Sequence, residues 1–167
     1  AEQLGTGHAT QKAMIDLPSD NRVLILAGDV PFISSSTLQR LLNETPTNDI
    51  SILTVQMDNP TGYGRIIRND EGIKSIVEHK DASESELLLK EINTGVMLCP
   101  GKNLKKWLNK LSNNNSKGEY YLTDVIEMAV TEGIKVHGIE ADSFTEVMGI
   151  NDKKQLALEL MNSKQEH

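Results

Sequence analysis

A handful of residues in this chain have the type and setting to do chemistry. Asp29 follows the unbroken apolar run Val23 to Ala27 and Gly28. A carboxylate at the end of a buried strand suits a hard divalent cation such as Mg²⁺, which takes one or two protein oxygens beside phosphate oxygens. A turn Asp ahead of Pro31 is the structural alternative. Asn151 opens a late helical pattern. Its amide oxygen suits a second hard ligand or an N-cap, and Asp152 competes for either role. Gly62 and Gly64, in "PTGYGRI", allow a backbone N–H to approach a ligand or simply a tight loop to form. Glu78 closes a β-prone run in "IVEHKD". Asn93 stands at the entry of an apolar stretch, where its amide needs a hydrogen-bond network or a ligand. Gly5-Thr6-Gly7 suits either close approach to a ligand or tight packing at a helix start. His8, His79, His137 and His167 share no metal-ligand spacing. No Ser-His-Asp order or G-x-S-x-G elbow points to covalent catalysis.

These residues sit in a chain of 167 residues, 38% apolar and 25% charged, with a net charge of −7. That is the composition of one folded domain with a sizeable core. The acidic balance, with a pI of about 5.1, argues against nonspecific nucleic-acid binding, which needs a basic face. Lys102, Lys105, Lys106 and Lys110 do cluster. They alternate with Leu104, Trp107, Leu108 and Leu111 at helical spacing, so they read as the solvated face of a helix. Cys99 is the only cysteine, so no internal disulfide forms, in keeping with a cytoplasmic location. It reads as a buried thiol at a strand end. No run approaches the roughly 18 apolar residues of a membrane span, and no signal peptide is visible.

The elements that must position the site alternate along the chain. Residues 7 to 17 read as a short helix and "RVLILAGDVPFI" as a strand covered on both faces. "SSSTLQRLLNE" carries an N-cap and a helix, and "ISILTVQM" is a strand. "GRIIRNDEGIKSIVEHK" reads as a hairpin around Asn69–Gly72. "INTGVMLC" is a strand and "NLKKWLNKL" a helix. "YLTDVIEMAVTEG" is a helix that ends at Gly133, a good C′ residue. "IKVHGIEA" is a strand and "NDKKQLALELM" a closing helix. Asn113-Asn114-Asn115 reads as a loop. Strands alternating with helices predict an α/β sandwich around a mixed, mostly parallel sheet, with the hairpin adding antiparallel pairing.

Taken as a series, "QLGTGHA", "GDVP", "PTGYGRI", "IVEHKDA", "EINTGV", "GEYYLTD" and "GIND" closely resemble the uridylyltransferase domain of the bacterial bifunctional GlmU family. They occur in one order from about Glu2 to about Gln155. The resemblance implies a Rossmann-like nucleotidyltransferase sandwich. It implies a Mg²⁺-dependent pyrophosphorylase joining UTP and N-acetylglucosamine 1-phosphate into UDP-N-acetylglucosamine and pyrophosphate, a supply for peptidoglycan and lipopolysaccharide. Position by position, Gln3, Gly5 and Thr6 match the uracil and ribose side, and Asp29 and Asn151 match the Mg²⁺ ligands. Gly64, Glu78 and Asn93 match the amino-sugar contacts. Tyr121 and Thr123 match the wall around the N-acetyl group. No residue is implied as a catalytic acid, base or nucleophile. The sugar phosphate is itself a nucleophile at neutral pH, so alignment and charge neutralisation are the chemistry required.

The sequence also departs from that family. The first strand, with a glycine-rich loop carrying an Arg and a Lys for the nucleotide phosphates, has no counterpart here. Neither does the hexapeptide-repeat β-helix of the acetyltransferase. Residues 1–167 are therefore expected to be a partial nucleotidyltransferase domain that retains the sugar-binding half-site, has little turnover, and self-associates through an uncovered sheet interior. A pyrophosphorylase for another sugar 1-phosphate, or a UDP-sugar-binding remnant without catalysis, are the alternative readings. No nucleic acid and no membrane insertion are expected.

Overall fold

A computed structural model of the chain describes residues 3–18, 20–28, 30 and 32–148. Its sheet begins from a simple property of β2 (Ile50–Gln56): apolar residues occupy both parities of the strand. Ile50 and Ile52 point into one core with Trp107, Leu104, Val125 and Ile126. Leu53 and Val55 point into the other with Leu41, Val96 and Ile139. A strand with this pattern is buried on both faces, and the fold supplies a layer for each. One layer contains α1 (Thr6–Ala13), α4 (Gly101–Leu108) and α5 (Asp124–Thr131). The other contains α2 (Ser35–Glu44) and a 3₁₀ turn at Thr145–Val147.

The remaining strands are β1 (Arg22–Ile25), β3 (Arg65–Asn69), β4 (Gly72–Val77), β5 (Glu91–Pro100) and β6 (Val136–Glu140), with a short α3 (Glu84–Leu87) between β4 and β5. The sheet order is β4-β3-β5-β2-β6, and β1 pairs with β5. On one edge of β5 lies β2. The other edge is shared by β1, at Met97–Pro100, and β3, at Ile92. The sheet is mixed, as expected, but not mostly parallel. Of the five pairings among the described residues, only β2 with β6 is parallel. The cause is β5. It enters through the β3–β4 hairpin and runs against β1, β2 and β3, which all point one way. A run that is apolar on both faces carries no sign of direction, so this inversion was hidden.

Most local expectations hold. The N-cap of α2 is Ser34, whose hydroxyl accepts from Thr37 N at 3.1 Å. The hairpin turns at Asn69–Gly72. Helix α5 is followed by Gly133 at φ +79°, a left-handed conformation that glycine adopts without strain. On α4, Leu104, Trp107 and Leu108 are buried, while Lys106, and Lys110 just past the helix end, pair with Glu132 at 2.8 and 3.5 Å across the surface. Cys99 is fully buried, and burial pushes its thiol well above the ordinary range. The strand expected from Val23 to Ala27 is shorter and only half-buried, and Leu26 is exposed. Its two faces still meet the two cores, Val23 and Ile25 on one side and Leu24 on the other, and among the described residues its exposure lies along the edge away from β5. The closing helix expected after Asn151 lies outside the described residues. Among the described residues no helix is long and apolar enough to cross a membrane.

Candidate functional site

The glycines of Gly5-Thr6-Gly7 are explained first by packing. Gly5 has φ +99°, and a Cβ there would stand 2.7 Å from Tyr120 O. A Cβ on Gly7 would stand 2.5 Å from Leu111 Cδ1 and 2.9 Å from Tyr120 O. Only glycine lets the start of α1 lie this close to the segment leading into α5. Three hydrogen bonds then stitch the two segments together. Tyr120 N donates to Leu4 O at 2.8 Å, Gly7 N to Tyr120 O at 2.8 Å, and Leu122 N to Thr6 Oγ1 at 3.2 Å. Thus Gly5 and Thr6 adjoin Tyr121 and Thr123. Gln3 is exposed at the head of the same segment.

The hairpin meets this segment from the other side. Thr123 is the N-cap residue of α5, yet its hydroxyl makes no cap bond. It donates instead to Glu78 Oε1 at 2.9 Å. A hydroxyl that would ordinarily serve an exposed helix N–H is committed to a carboxylate from another element. A Cβ on Gly64 would stand 3.0 Å from Ile76 Cγ2 and 3.6 Å from Glu78 Oε2, so the buried Gly64 lets the pre-hairpin loop lie close against β4, beside the Glu78 carboxylate. Gly64 O accepts from Asn93 N at 2.9 Å, which holds the pre-hairpin loop against the start of β5. The side-chain oxygen of Asn93 is used locally, accepting from Gly95 N at 3.1 Å. Gly95 bends β5 at φ +84°, where it meets Ala27 just beyond β1.

Five sequence-selected residues are therefore linked through direct bonds or adjacent backbone: Thr6, Gly64, Glu78, Asn93 and Thr123. Tyr121 joins them through Asp81, which lies in "IVEHKDA" without an assigned role there and whose N–H donates to Glu78 O at 2.9 Å. Tyr121 Oη donates to Asp81 Oδ2 at 3.1 Å, and Asp81 Oδ1 accepts from Ser116 N at 2.9 Å. The Ser116 backbone bond, with smaller help from Tyr121 and Lys117, holds the Asp81 carboxyl below the usual range. Burial, reinforced by Asp81 and Glu78, pushes the Tyr121 phenol up. The loop before Tyr120 is built around Asn115. Its Nδ2 donates to Glu119 O at 2.6 Å, and its Oδ1 accepts from the N–H groups of Lys117 and Glu119 at 3.2 Å. Asp124 was also missed. Burial, with the negative charges of Glu78, Glu127 and Asp81, pushes its carboxyl up to about 6.

Asp29 and Asn151, the two expected metal ligands, lie outside the described residues. Among the described residues no group of three or more His, Cys, Asp or Glu side chains could hold a metal ion. One buried contact does bear on the segments that flank them. Glu146, 7% exposed, accepts from Ser34 N at 3.3 Å, Thr37 Oγ1 at 2.9 Å and Asp142 N at 2.8 Å. It fastens the start of α2 to the segment after β6. A separate groove of about 720 Å³, lined in part by Arg68, Ile73, Lys135 and His137, opens at the turn end of the hairpin, opposite Gly64 and Glu78.

No protein-family model matches the chain. Solved structures do resemble it. One, from Bacillus anthracis, is assigned as a glucose-1-phosphate thymidylyltransferase in complex with sucrose. It superposes with a TM-score of 0.67 at 16% identity, covering 98% of this chain and 63% of that one. Another, the inositol-1-phosphate CTP transferase of T. maritima, gives a TM-score of 0.62 at 17% identity, covering 93% of this chain and 62% of that one. The chain thus spans a little under two thirds of the length of these structures. At such identities the likeness concerns architecture, and the mixed α/β sheet described above is the fold shared with sugar-phosphate nucleotidyltransferase structures.

Proposed function

We propose that this chain carries the sugar-binding part of a sugar-phosphate nucleotidyltransferase. The reaction we assign to the whole site joins UTP and N-acetylglucosamine 1-phosphate to give UDP-N-acetylglucosamine and pyrophosphate, in the cytoplasm. The observation that supports this reading most is the bond from Thr123 to Glu78 at 2.9 Å, beside the close approach of Gly64. It joins motif residues 45 positions apart on one face. Gly64, Glu78 and Asn93 would bind the sugar, Tyr121 and Thr123 would wall its acetamido group, and Gln3, Gly5 and Thr6 would meet the nucleotide.

In this reading the protein's work is alignment. Fixed hydrogen-bond partners orient the sugar so that its phosphate oxygen faces the nucleotide's α-phosphate, and they reject an analogue that leaves them unpaired. Asp29 and Asn151 would hold Mg²⁺. Both offer hard oxygen donors of the kind it prefers, and the ion would supply charge neutralisation at the phosphates. The Glu146 contact supports this pairing of segments, since Ser34 and Glu146 stand five positions from Asp29 and Asn151 respectively (29 to 34, 146 to 151).

Calorimetric titration of the chain with N-acetylglucosamine 1-phosphate and with glucose 1-phosphate, in Mg²⁺, tests the reading. We expect the acetylated sugar to bind at least about tenfold more tightly. Equal binding of both would shift the substrate to the class named for the Bacillus structure. Binding of neither would reject a sugar-phosphate site. Release of pyrophosphate on addition of UTP reports whether the same chain also completes the transfer.

A further inference from the structure

On the face where the motifs meet, the Tyr121 and Thr123 hydroxyls each direct their proton at a carboxylate. Tyr121 Oη donates to Asp81 at 3.1 Å, and Thr123 Oγ1 donates to Glu78 at 2.9 Å. A hydroxyl has one proton and two lone pairs, and an ionised carboxylate only accepts. Once those protons are committed, Tyr121 Oη, Thr123 Oγ1 and Glu78 Oε2 have nothing left to offer a ligand except lone pairs. The commitment is enforced from behind. Asp81 is held on its other oxygen by Ser116 N, within a loop that Asn115 closes through three hydrogen bonds of its own. Lys117, in the same loop, is the cation that acts on Asp81.

We propose that Asp81 is a positioning residue for this face: by accepting the hydrogen bond from Tyr121 Oη it makes the wall read hydrogen-bond donors on the ligand. The group that meets the wall is then an amide N–H or a hydroxyl of the sugar, and a ring position bearing only an acceptor is refused. The inference rests on the reading of this face as a sugar site. It adds to that reading a residue and a polarity of recognition. Asp81 touches no reacting atom and acts only through the phenol. The polarity also gives the Asn115 loop a purpose, because an unfixed loop would leave Asp81 free to turn away.

Asp81→Asn tests this. The Asn amide has the same shape but can donate to Tyr121 Oη, which frees the phenol proton to point at the ligand. Two readouts apply. In the absence of any ligand, ultraviolet titration of the tyrosines should show one phenol ionising at lower pH in the variant. With ligands, calorimetry compares N-acetylglucosamine 1-phosphate, which carries an N–H donor at C2, with 2-deoxy-2-fluoroglucose 1-phosphate, which carries only an acceptor. We expect the unaltered chain to prefer the donor by about tenfold or more, and the variant to shrink that ratio to about threefold or less. A merely structural role would weaken both ligands together and leave the ratio alone. An unchanged ratio in a folded variant overturns the inference and leaves the sugar site standing. If the unaltered chain binds neither ligand, the sugar reading itself falls and takes the inference with it. Should Asp81→Asn fail to fold, Tyr121→Phe removes the same acceptor, and an unchanged ratio there overturns the inference equally.

Discussion

Asp124→Asn offers a direct test of the electrostatics of this face. Asp124 opens α5, where the positive end of the helix would ordinarily favour a carboxylate. Its carboxyl is nevertheless pushed from 3.8 up to about 6, first by burial and then by the charges of Glu78, Glu127 and Asp81. An acid so perturbed costs the folded state about 3 kcal/mol when fully ionised. Partial exposure and solvent screening reduce this to about 1.5 kcal/mol. The raised value fixes the direction. Below the ordinary value of 3.8 the group is protonated in both states and costs nothing. As pH rises towards about 6 the unfolded chain ionises first, and stability is lost. Asn cannot ionise, so the variant should be more stable than the parent by about 1.5 kcal/mol near pH 8 and by only about 0.5 kcal/mol near pH 4.5. Urea unfolding followed by the fluorescence of Trp107, the only tryptophan and wholly buried, measures both differences. An equal gain at the two pH values, or a loss at the higher one, would refute the account.

Two other outcomes follow from packing. Ala for Gly in a helix usually stabilises by about 0.5–1 kcal/mol, but at Gly7 the new methyl meets Leu111 Cδ1 at 2.5 Å and the Tyr120 carbonyl at 2.9 Å. Gly7→Ala should therefore destabilise by about 1–2 kcal/mol in the same urea assay, and a more stable variant would show that the close approach is not required. The Cys99 thiol is fully buried and held high by burial. It should react with a thiol reagent only as fast as the chain unfolds, and rapid labelling of the native protein would contradict its place in the core.

What could be read from residues alone follows from how each signal arises. The α2 cap at Ser34, the Asn69–Gly72 turn, Gly133 after α5 and the buried stripe of α4 are local, and local chemistry determines them. The direction of β5 is not local. Its residues Val96 to Cys99 are buried whichever way the strand runs, and only the hairpin ahead of it settles the matter. At the candidate site, Thr6, Gly64, Glu78, Asn93, Tyr121 and Thr123 were selected by the order of their motifs, not by any spacing that placed them together. The bonds that join them span up to 116 positions. Asp81, within "IVEHKDA", and Asn115, within the Asn113–Asn115 loop, were given no role because a polar residue in a loop has no period that marks its partner. What marks Asp81 is its partner Ser116, 35 positions away, and that pairing exists only in the fold. Asp29 and Asn151 rest on the motif series, outside the described residues.

The inverted strand at the centre also governs the order in which the molecule can be assembled. Strands β1 and β2 do not pair with each other; each finds its partner in β5. Of the pairings among the described residues, the β3–β4 hairpin is the one complete before residues 91–100 are made, and those of β1 and β2 with β5 must wait. Their pairing spans about 75 residues for β1 and about 40 for β2, so the entropy of closing both loops falls on the arrival of one strand. Formation of β5 is then the step at which a collapsed, aggregation-prone chain becomes a sheet. Slow translation or a weakening substitution between Ile92 and Cys99 should lower the yield of folded protein out of proportion to its effect on the stability of the finished structure.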